Sequence, residues 1–426
     1  MSFAFGGFVL LIFSGLPIVF ALGVAGLLAI VMLTDVPTTI VAQRVFGGVN
    51  SFSLMAIPFF VTAGILMAEG GIARRFVDLA SALVGWITGS LYMIAIVTST
   101  GLAAISGSGS ADTAAVGSIL SPEMRRRGYD LDLGASIIAA GGALAPILPP
   151  SIIMVVIAIT SNLSIGAMFL GGIVPGLMIA IGLAIACFIV AKRGGPVYRD
   201  SEPFSLSRLG RAFVAAIPGL TLPVVIIGGI VGGVFTATEA SSVAVILTLV
   251  ISLLVYRELK LKDLAPLLIK AISLSAAVLI IVATASVFSW IIATLGVPHL
   301  LDTWFRGVTE SPVVFLLIVN LFLLVVGMFM ESISAILIVL PVLMPIAQSY
   351  GIDPVQFGVM TGLNLAIGLI TPPYGICLFV ASMVAGRKVE QVVTKVWIPL
   401  IPMLFVLALT AYVPAVVLTL PRAFFP

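Results

Sequence analysis

Two stretches decide the fold: Ala145-Pro146-Ile147-Leu148-Pro149-Pro150-Ser151 and Gly368-Leu369-Ile370-Thr371-Pro372-Pro373-Tyr374. Each places a Pro-Pro pair inside a long apolar segment. Proline lacks a backbone N–H and its ring clashes with the preceding helical turn, so each pair should break a helix. Broken backbone at membrane depth is tolerated only where it is buried in protein or lines a cavity. Two broken helices at corresponding places in two halves therefore indicate a transporter binding site.

The composition indicates a membrane protein. Hydrophobic residues make up 61% of the 426 residues and charged residues 9%, whereas soluble domains carry about 25% charge. The mean hydropathy is +1.31. About ten to twelve apolar stretches approach the roughly 20 residues needed to cross a bilayer. The chain is therefore predicted to be an all-α polytopic membrane protein.

Other function classes lack their residues in this sequence. Cys187 and Cys377 lie in apolar segments and are expected to be packed free thiols. His299 has no Cys or Glu neighbours, so it does not indicate a zinc site. The sequence has no phosphate-binding loop, no Gly-x-Ser-x-Gly and no His-Glu-x-x-His motif. The N-terminus shows no removable signal pattern.

A repeat relates the two halves at an offset of 223 residues (351 minus 128). At this offset Gly128-Tyr129-Asp130 aligns with Gly351-Ile352-Asp353, and Pro122 aligns with Pro345. The two Pro-Pro pairs align as well. The alternative is chance, because Gly and Pro are common here, with 42 and 25 copies. Ungapped alignment of residues with special backbone behaviour favours the repeat.

Each half is predicted to contain a hairpin, at about 91–126 and 313–347, with an interruption at Ser106–Asp112 and at Gly327–Ser332. The predicted arms are about 14 residues each, or about 21 Å of helix, which is short for a core of about 30 Å. We therefore predict re-entrant hairpins whose tips meet in mid-membrane. A broken helix follows each hairpin, at about 131–160 and 354–383.

Basic residues predict the orientation. The polar stretch 191–211 is read as a cytoplasmic linker, and Arg125-Arg126-Arg127 places the base of the first hairpin on the same side. Following the chain from span to span, the second hairpin enters from the opposite side. The halves are then inverted repeats. Phe3–Leu33 forms either one span or two, and inverted symmetry favours two.

The tips and breaks offer oxygen ligands for small hard cations. Ser and Gly at the first tip supply hydroxyls and close backbone approach, and broken helices supply carbonyls without their usual partners. Two equivalent cation sites follow: Ser106, Ser108, Ala145, Leu148 and Pro150 in the first half, and Gly327, Gly368, Thr371 and Tyr374 in the second. The alternative for the Ser/Gly run is a helix-packing face.

Residues at the tips are also candidates for binding an anionic substrate, because helix N-termini carry partial positive charge. The candidates are Ser108, Ser110, Asp112 and Glu331. Ionisable groups at membrane depth point to function, although Asp112 could equally cap the second arm. Glu239 looks buried in a supporting span, where a structural hydrogen-bond role is favoured.

Several motifs together resemble the large membrane subunit, the M or DctM-like subunit, of the tripartite ATP-independent periplasmic (TRAP) transporters. They run nearly end to end through the chain: Ile57-Pro58-Phe59-Phe60-Val61-Thr62-Ala63-Gly64, Gly71-Ile72-Ala73-Arg74-Arg75, Pro149-Pro150-Ser151, Phe235-Thr236-Ala237-Thr238-Glu239-Ala240, Thr371-Pro372-Pro373-Tyr374-Gly375 and Leu378-Phe379-Val380-Ala381-Ser382. The family more often has Pro at the position of Ala237 and Gly near Ala145.

The resemblance implies a sodium-driven importer of organic acids in the bacterial inner membrane, typically of sialic acid or C4-dicarboxylates. It implies an elevator-type fold, with a scaffold at 1–85 and 212–308 and a moving transport domain at 86–190 and 309–426. The expected partners are a small four-helix membrane subunit and a periplasmic substrate-binding protein. By motif, two Na⁺ ions would lie at the two cation sites named above, and Asp112 and Glu331 at or beside the substrate cavity.

Two rival functions stay open. One is a symporter for citrate or dicarboxylates that needs no binding protein. The other is a channel or an intramembrane enzyme, although no nucleophile–base pair is visible in the sequence.

Overall fold

The structure is a computed structural model that describes residues 6, 11, 14–199 and 203–425. In the described part all regular structure is helical. A turn at Ser14 and Gly15 precedes the helix Ile18–Leu33. Most of the earlier part of the predicted Phe3–Leu33 segment lies outside the described residues.

The first half consists of nine described helices and ends in a long one. In chain order they are α1 (Ile18–Leu33), α2 (Thr39–Val49), α3 (Ala56–Glu69), α4 (Ile72–Val84), α5 (Ser90–Ser106), α6 (Gly109–Arg126), α7 (Leu131–Gly142), α8 (Ile152–Thr160) and α9 (Ile165–Arg193). A short 3₁₀ turn, Phe52–Met55, joins α2 to α3, and another, Pro196–Arg199, follows α9.

The second half contains eleven described helices. Its helices are α10 (Leu206–Val231), α11 (Ala237–Val250), α12 (Leu261–Thr294), α13 (Val297–Val308), α14 (Pro312–Phe329), α15 (Ser332–Ser349), α16 (Pro354–Gly368), α17 (Ile376–Ala385), α18 (Val389–Val393), α19 (Trp397–Tyr412) and α20 (Pro414–Phe424). A π-helical turn, Ile251–Val255, extends α11.

Helix boundaries correspond at the offset found in the sequence. Helix α6 starts at Gly109 and ends at Arg126, and α15 starts and ends 223 residues later. The last residues of α5 and α14, Ser106 and Phe329, also lie 223 positions apart. Helices α2 and α3 together align with the single 34-residue helix α12. The second half has therefore fused two helices that a 3₁₀ turn separates in the first.

The Gly-x-Asp motifs explain why α7 and α16 start where they do. Gly128 and Gly351 have φ of +72° and +75°, a left-handed conformation that glycine adopts without a Cβ penalty. Asp130 then caps α7 by accepting hydrogen bonds from two backbone N–H groups, and Asp353 caps α16 in the same way. Such caps stabilise a helix start by about 1 kcal/mol.

Both Pro-Pro segments interrupt helices, as predicted. Residues 143–151 separate α7 from α8, and residues 369–375 separate α16 from α17. Both Pro-Pro peptide bonds are cis. The second part of each broken helix crosses to the other half: α8 packs against α15 and α16, whereas α17 packs against α6 and α7. The two breaks are therefore held side by side.

The hairpin interruptions are shorter than the sequence indicated, and that prediction was wrong in detail. Only Gly107 and Ser108 separate α5 from α6, and only Met330 and Glu331 separate α14 from α15. The arms are consequently 17 or 18 residues long rather than about 14. Helices α14 and α15 are each long and apolar enough to cross a membrane. The re-entrant course stays a prediction.

Seven helices in the described part are long and apolar enough to span a membrane, or eight if the bent pair α19–α20 is one span. The sequence predicted about ten to twelve apolar spans. The difference arises because the Pro-Pro breaks divide two segments into pieces of 9 to 15 residues. The predicted linker 191–211 is also shorter, because helices α9 and α10 extend into it from both ends.

Candidate functional site

A cavity of about 490 Å³ lies where both tips and both breaks meet. The tip residues that line it are Gly107, Ser108, Gly109 and Ser110 from the first hairpin and Glu331, Ser332, Ile333 and Ser334 from the second. The broken helices contribute Pro146, Ile152, Ile153, Leu369, Ile376 and Cys377. Tip residues that lie at least 221 positions apart in the chain (331 minus 110) thus share one chamber.

The opposite wall of the cavity is apolar and comes from helices outside the hairpins. It is formed by Pro17, Ile18, Val19, Val61, Leu274, Ala277, Val278 and Ile281. The four residues from α12 follow a helical period of three and four positions, so they form one stripe on that helix. The polar groups are therefore concentrated on the hairpin side of the chamber.

Four helices of the hairpins and broken helices begin at the cavity. The first residues of α6, α15 and α17, and those of α8, all lie in its lining. The first N–H groups of a helix have no partner within the helix, and each N-terminus carries about half a positive charge. This arrangement favours an anion at the centre of the chamber.

A chain of hydrogen bonds organises the first tip. The Asp112 side chain accepts a hydrogen bond from the Ser106 hydroxyl, whose oxygen accepts the Ser108 N–H at 3.2 Å. Ser108 begins α6 but its side chain makes no cap hydrogen bond, so its hydroxyl remains available to the cavity. The predicted residues Ser106, Ser108 and Asp112 are thus brought together.

Asp112 does not itself line the cavity, but it lies two residues from Ser110, which does, so its place at or beside a substrate site stays a prediction. Its side chain is only 3% exposed, and its Oδ2 has no hydrogen-bond partner among the described residues. The alternative that Asp112 caps the second arm is wrong, because Ser108 occupies the N-cap position. Ser110 does line the chamber and is half-buried.

Backbone carbonyls crowd around the first tip. A Cβ on Gly107 would lie 2.7 Å from the Pro150 carbonyl oxygen, and a Cβ on Gly64 would lie 2.6 Å from that of Ser106. Gly107 also has φ of +63°. Ala145 and Leu148 are buried in the neighbouring break. The first predicted cation set is therefore contiguous, with Gly64 as a neighbour that sequence reasoning missed.

Glu331 lines the chamber and also caps helix α15. Its carboxylate accepts the Ser334 N–H at 3.1 Å and the Ser334 hydroxyl at 3.4 Å. From the sequence, Glu331 had a stronger functional claim than Asp112, because no loop-like residues surround it. The structure adds the capping role, which the Glu-x-x-Ser spacing could have indicated.

The second predicted cation set is partly assembled. Gly327 and Gly368 touch: a Cβ on Gly368 would lie 2.5 Å from the Gly327 carbonyl oxygen. The Thr371 N–H donates to the Gly368 carbonyl at 3.1 Å, and its hydroxyl donates to Ile367. Tyr374 is further out, with a 63% exposed side chain, so it would take part through its backbone.

A buried amide pair behind the second tip escaped sequence reasoning. The Asn364 amide donates to the Asn320 carbonyl at 3.0 Å and to its side-chain oxygen at 2.8 Å. The pair holds α16 against α14, close to the Gly327–Gly368 contact. The presence of two asparagines inside apolar segments could have indicated this pair from the sequence.

Glu239 is exposed, not buried as the sequence indicated. It forms a capping box with Thr236 at the start of α11. The favoured structural hydrogen-bond role is therefore confirmed, and only its predicted burial was wrong.

The donor chemistry suits a hard cation rather than a transition metal. The described residues hold no cluster of three His, Cys, Asp or Glu side chains able to bind a metal. The oxygens gathered at each tip are backbone carbonyls and hydroxyls, which are the ligands that hard cations prefer. Both tips therefore fit a small monovalent cation by donor type.

The family comparison decides the identity of the chain. Residues 5–416 match the model of the tripartite ATP-independent periplasmic transporter, DctM component. The chain belongs to the DctM family of TRAP transporter large permeases. The resemblance drawn from the sequence motifs is thereby confirmed.

Curated relatives of this permease cover almost its whole length. The C4-dicarboxylate TRAP transporter large permease protein DctM of Rhodobacter capsulatus is 39% identical over 98% of each chain. The sialic acid TRAP transporter large permease protein SiaM of Vibrio cholerae is 37% identical over 98% of this chain and 97% of its own. The isethionate TRAP transporter permease protein DctMQ of Oleidesulfovibrio alaskensis is 41% identical over 97% of this chain and 65% of its own.

A solved structure shares the fold. The YdaH transporter of Alcanivorax borkumensis superposes with a TM-score of 0.60 at 14% identity, covering 95% of this chain and 96% of the other. The DctM-family chain is therefore an all-α, multi-pass integral membrane protein, as expected for the bacterial inner membrane. Its relatives are transporter permeases and not enzymes.

Proposed function

We propose that this permease imports a carboxylated organic solute, of the sialic acid or C4-dicarboxylate class, by Na⁺-coupled secondary active transport. The observation that carries the proposal is the single chamber of about 490 Å³ shared by two hairpin tips and two helix breaks. Relatives that are permeases for C4-dicarboxylates and sialic acid support the substrate class.

The four helix N-termini supply the attraction for a carboxylate. Glu331 is the one carboxylate among the lining residues, and Ser334 already engages it as a cap. A substrate carboxylate would bind free N–H groups and the hydroxyls of Ser108, Ser110 and Ser334. The apolar stripe on α12 would cover the remainder of the solute.

Two Na⁺ ions would bind behind the chamber, one beside each tip. Oxygens of Ser106, Ser108, Ala145, Leu148 and Pro150 form the first set; those of Gly327, Gly368, Thr371 and Tyr374 form the second. Bound cations would order the tips and neutralise their carbonyl dipoles, so cation and substrate would bind cooperatively. This coupling links uptake to the sodium gradient.

The polar wall of the chamber comes from the hairpins and broken helices, and the apolar wall comes from other helices. This division supports an elevator mechanism. Hairpins and broken helices, at 86–190 and 309–426, would move together as the transport domain. Helices of 1–85 and 212–308 would form the scaffold, whose apolar stripe offers a surface for sliding. Inverted repeats entering from opposite sides would give the two membrane faces equivalent access routes.

Two protein partners complete the proposal. A periplasmic binding protein would deliver the substrate, and a small four-helix membrane subunit would extend the scaffold. Family membership supports both partners. The relative DctMQ is longer than this chain, which matches 65% of it, as expected if a further membrane segment is fused there.

The test is uptake into proteoliposomes containing the permease, the small subunit and the binding protein. Ser108→Ala and Thr371→Ala should each raise the Na⁺ concentration needed for half-maximal uptake. Ser118→Ala is the matched control, because Ser118 lies on the exposed side of α6. Unchanged sodium dependence in both variants contradicts the cation sites.

The same vesicles separate the rival functions. Uptake that persists without the binding protein favours a binding-protein-independent symporter. Flux that survives collapse of the sodium gradient favours a channel. The proposal predicts loss of uptake in both conditions.

A further inference from the structure

Three arginines in the described residues stack over aromatic rings. The guanidinium carbon of Arg75 lies 3.7 Å from the Tyr256 ring centre, that of Arg306 lies 5.1 Å from Tyr350, and that of Arg44 lies 5.2 Å from Trp290. Such contacts stabilise a cation only in part. The charge still requires an anion where water is scarce.

Two of these arginines have their anion within the chain. Arg75 pairs with Glu258 at 2.9 Å, and Arg306 pairs with Asp302 at 3.2 Å. The Arg44 guanidinium has no hydrogen bond or ion pair with any residue that the structure describes. A carboxylate therefore accompanies the arginine–aromatic contact of Arg75 and of Arg306, but not that of Arg44.

Arg44 lies near the end of the longest membrane helix. The Ser286 hydroxyl of α12 donates to the Arg44 carbonyl at 2.6 Å, which fixes α2 against α12. Trp290 lies four residues before the end of α12 at Thr294, or about 6 Å along its axis. Tryptophan and arginine favour this depth, where the acyl chains meet the headgroups.

The surroundings of Arg44 are open and hold no acidic residue among those lining the adjacent cavity. Helix α2 has no fully buried residue, and Phe46 is 67% exposed. Beside Arg44 lies a cavity of about 350 Å³ lined by Ile40, Gln43, Arg44, Gly47, Gly48 and Ser286. No atom lies within 4 Å of a Cβ placed on Gly47. The cavity offers room for a headgroup, and Gln43 offers a second donor.

We propose that Arg44 and Gln43 bind the phosphate of a membrane phospholipid, with Trp290 under the guanidinium. A phosphate matches the planar fork of arginine. Exposed apolar side chains around the site, such as Phe46, would contact the acyl chains. The lipid would supply the anion that Glu258 and Asp302 supply to the other two arginines, and would secure α2 to the scaffold.

The direct test measures lipid binding to the delipidated permease, purified with its small subunit, by native mass spectrometry. The probes are phosphatidylglycerol, phosphatidylethanolamine and diacylglycerol, which lacks the phosphate. Arg44→Gln should weaken phospholipid binding at least about tenfold, as expected for a charge-assisted hydrogen bond. Arg306→Gln, the matched control with an internal carboxylate, should leave it unchanged.

A second variant keeps the charge and fills the cavity. Gly47→Leu projects into open space, so the helix should fold, and it should weaken phospholipid binding while Arg44 stays in place. Equal binding by Arg44→Gln and the unaltered protein, or tight binding of diacylglycerol, would overturn the proposal.

Two further outcomes would also overturn it. One is full competition by millimolar inorganic phosphate, which would indicate a site for a free anion. The other is a photo-cross-linker at Gln43 that labels the small subunit instead of lipid, which would indicate a protein partner.

Discussion

The two hairpins share their backbone length but place their acidic residue differently. Helices α6 and α15 start and end at corresponding residues, so Ser108 and Glu331 occupy the same position in the two tips. In the second tip the acid faces the chamber and caps its own helix. In the first tip the acid is Asp112, one turn further along and buried; the equivalent residue in α15 is Ala335.

The different positions of Glu331 and Asp112 suggest different roles for the two carboxylates. An acid facing the chamber would contact a substrate bound there. A buried acid, held by Ser106 and with one free oxygen, would instead balance the cation proposed to bind at the tip backbone. We therefore expect Asp112 to affect sodium affinity and Glu331 to affect helix stability and substrate binding.

The largest effect is expected from the contact between Gly327 and Gly368, whose counterparts in the first half are Ala104 and Ala145. In Gly368→Ala the added Cβ would lie 2.5 Å from the Gly327 carbonyl oxygen, and backbone must move. A displacement of about 1 Å at a binding site can cost about 100-fold. Sodium-dependent uptake should fall by about that factor. Gly307→Ala, which meets no atom within 4 Å, is the control.

A smaller effect is expected when the buried acid loses its charge. Asp112→Asn should raise the half-saturating Na⁺ concentration at least about fivefold, the lower range of a typical coupling free energy. Glu331→Gln should change the apparent substrate affinity more than the sodium requirement. The measurement is uptake over a matrix of sodium and substrate concentrations. Identical shifts in both variants would remove the distinction between the tips.

A stability difference follows from the caps. Glu331→Ala removes the side-chain cap of α15 and should lower the free energy of unfolding by about 1 kcal/mol. Ser108→Ala should leave it nearly unchanged, because Ser108 makes no cap hydrogen bond. Chemical denaturation in detergent measures both. Equal destabilisation would mean that the tips are held in the same way.

The smallest effect concerns the hairpin bases. A hydrogen bond from Ser349 and the ion pair with Arg306 lower the pKa of Asp302 below its ordinary value. Its contribution is therefore present above the unfolded pKa of about 3.9 and is lost as the pH falls through the lower native pKa. The expected loss is a few tenths of a kcal/mol.

Asp302→Asn tests this contribution. In this variant, the melting temperature should fall less than in the unaltered protein as the pH drops through the native pKa of Asp302. The first base, where Glu123 pairs with Arg126 and Arg127, should be unaffected. An acid dependence that Asp302→Asn leaves intact would assign it to another group.

The features that the sequence predicted have strict backbone requirements. The Pro-Pro pairs predicted both breaks, because proline cannot continue a helix. Helices α7 and α16 start at the predicted positions 131 and 354, where a left-handed glycine and an aspartate cap leave few alternatives.

The tips were harder to predict because tertiary contacts override local preference there. Gly109, Ser110 and Asp112 have weak helix preference, yet they are helical. A Cβ on Gly109 would lie 2.9 Å from the Gly142 carbonyl oxygen and 3.2 Å from the Cys377 sulfur, contacts that join distant parts of the chain. Gly327, expected to interrupt α14, lies inside it and allows the close approach to Gly368.

The most direct test of the shared chamber is cysteine protection in a Cys187→Ala, Cys377→Ala background. Cysteines at Ser108 and Ser334 would be labelled in membranes with and without substrate and Na⁺. The chamber predicts that the two ligands together protect both positions, although they lie in different halves of the chain. Labelling that neither ligand changes at either position would contradict a binding site built from both tips.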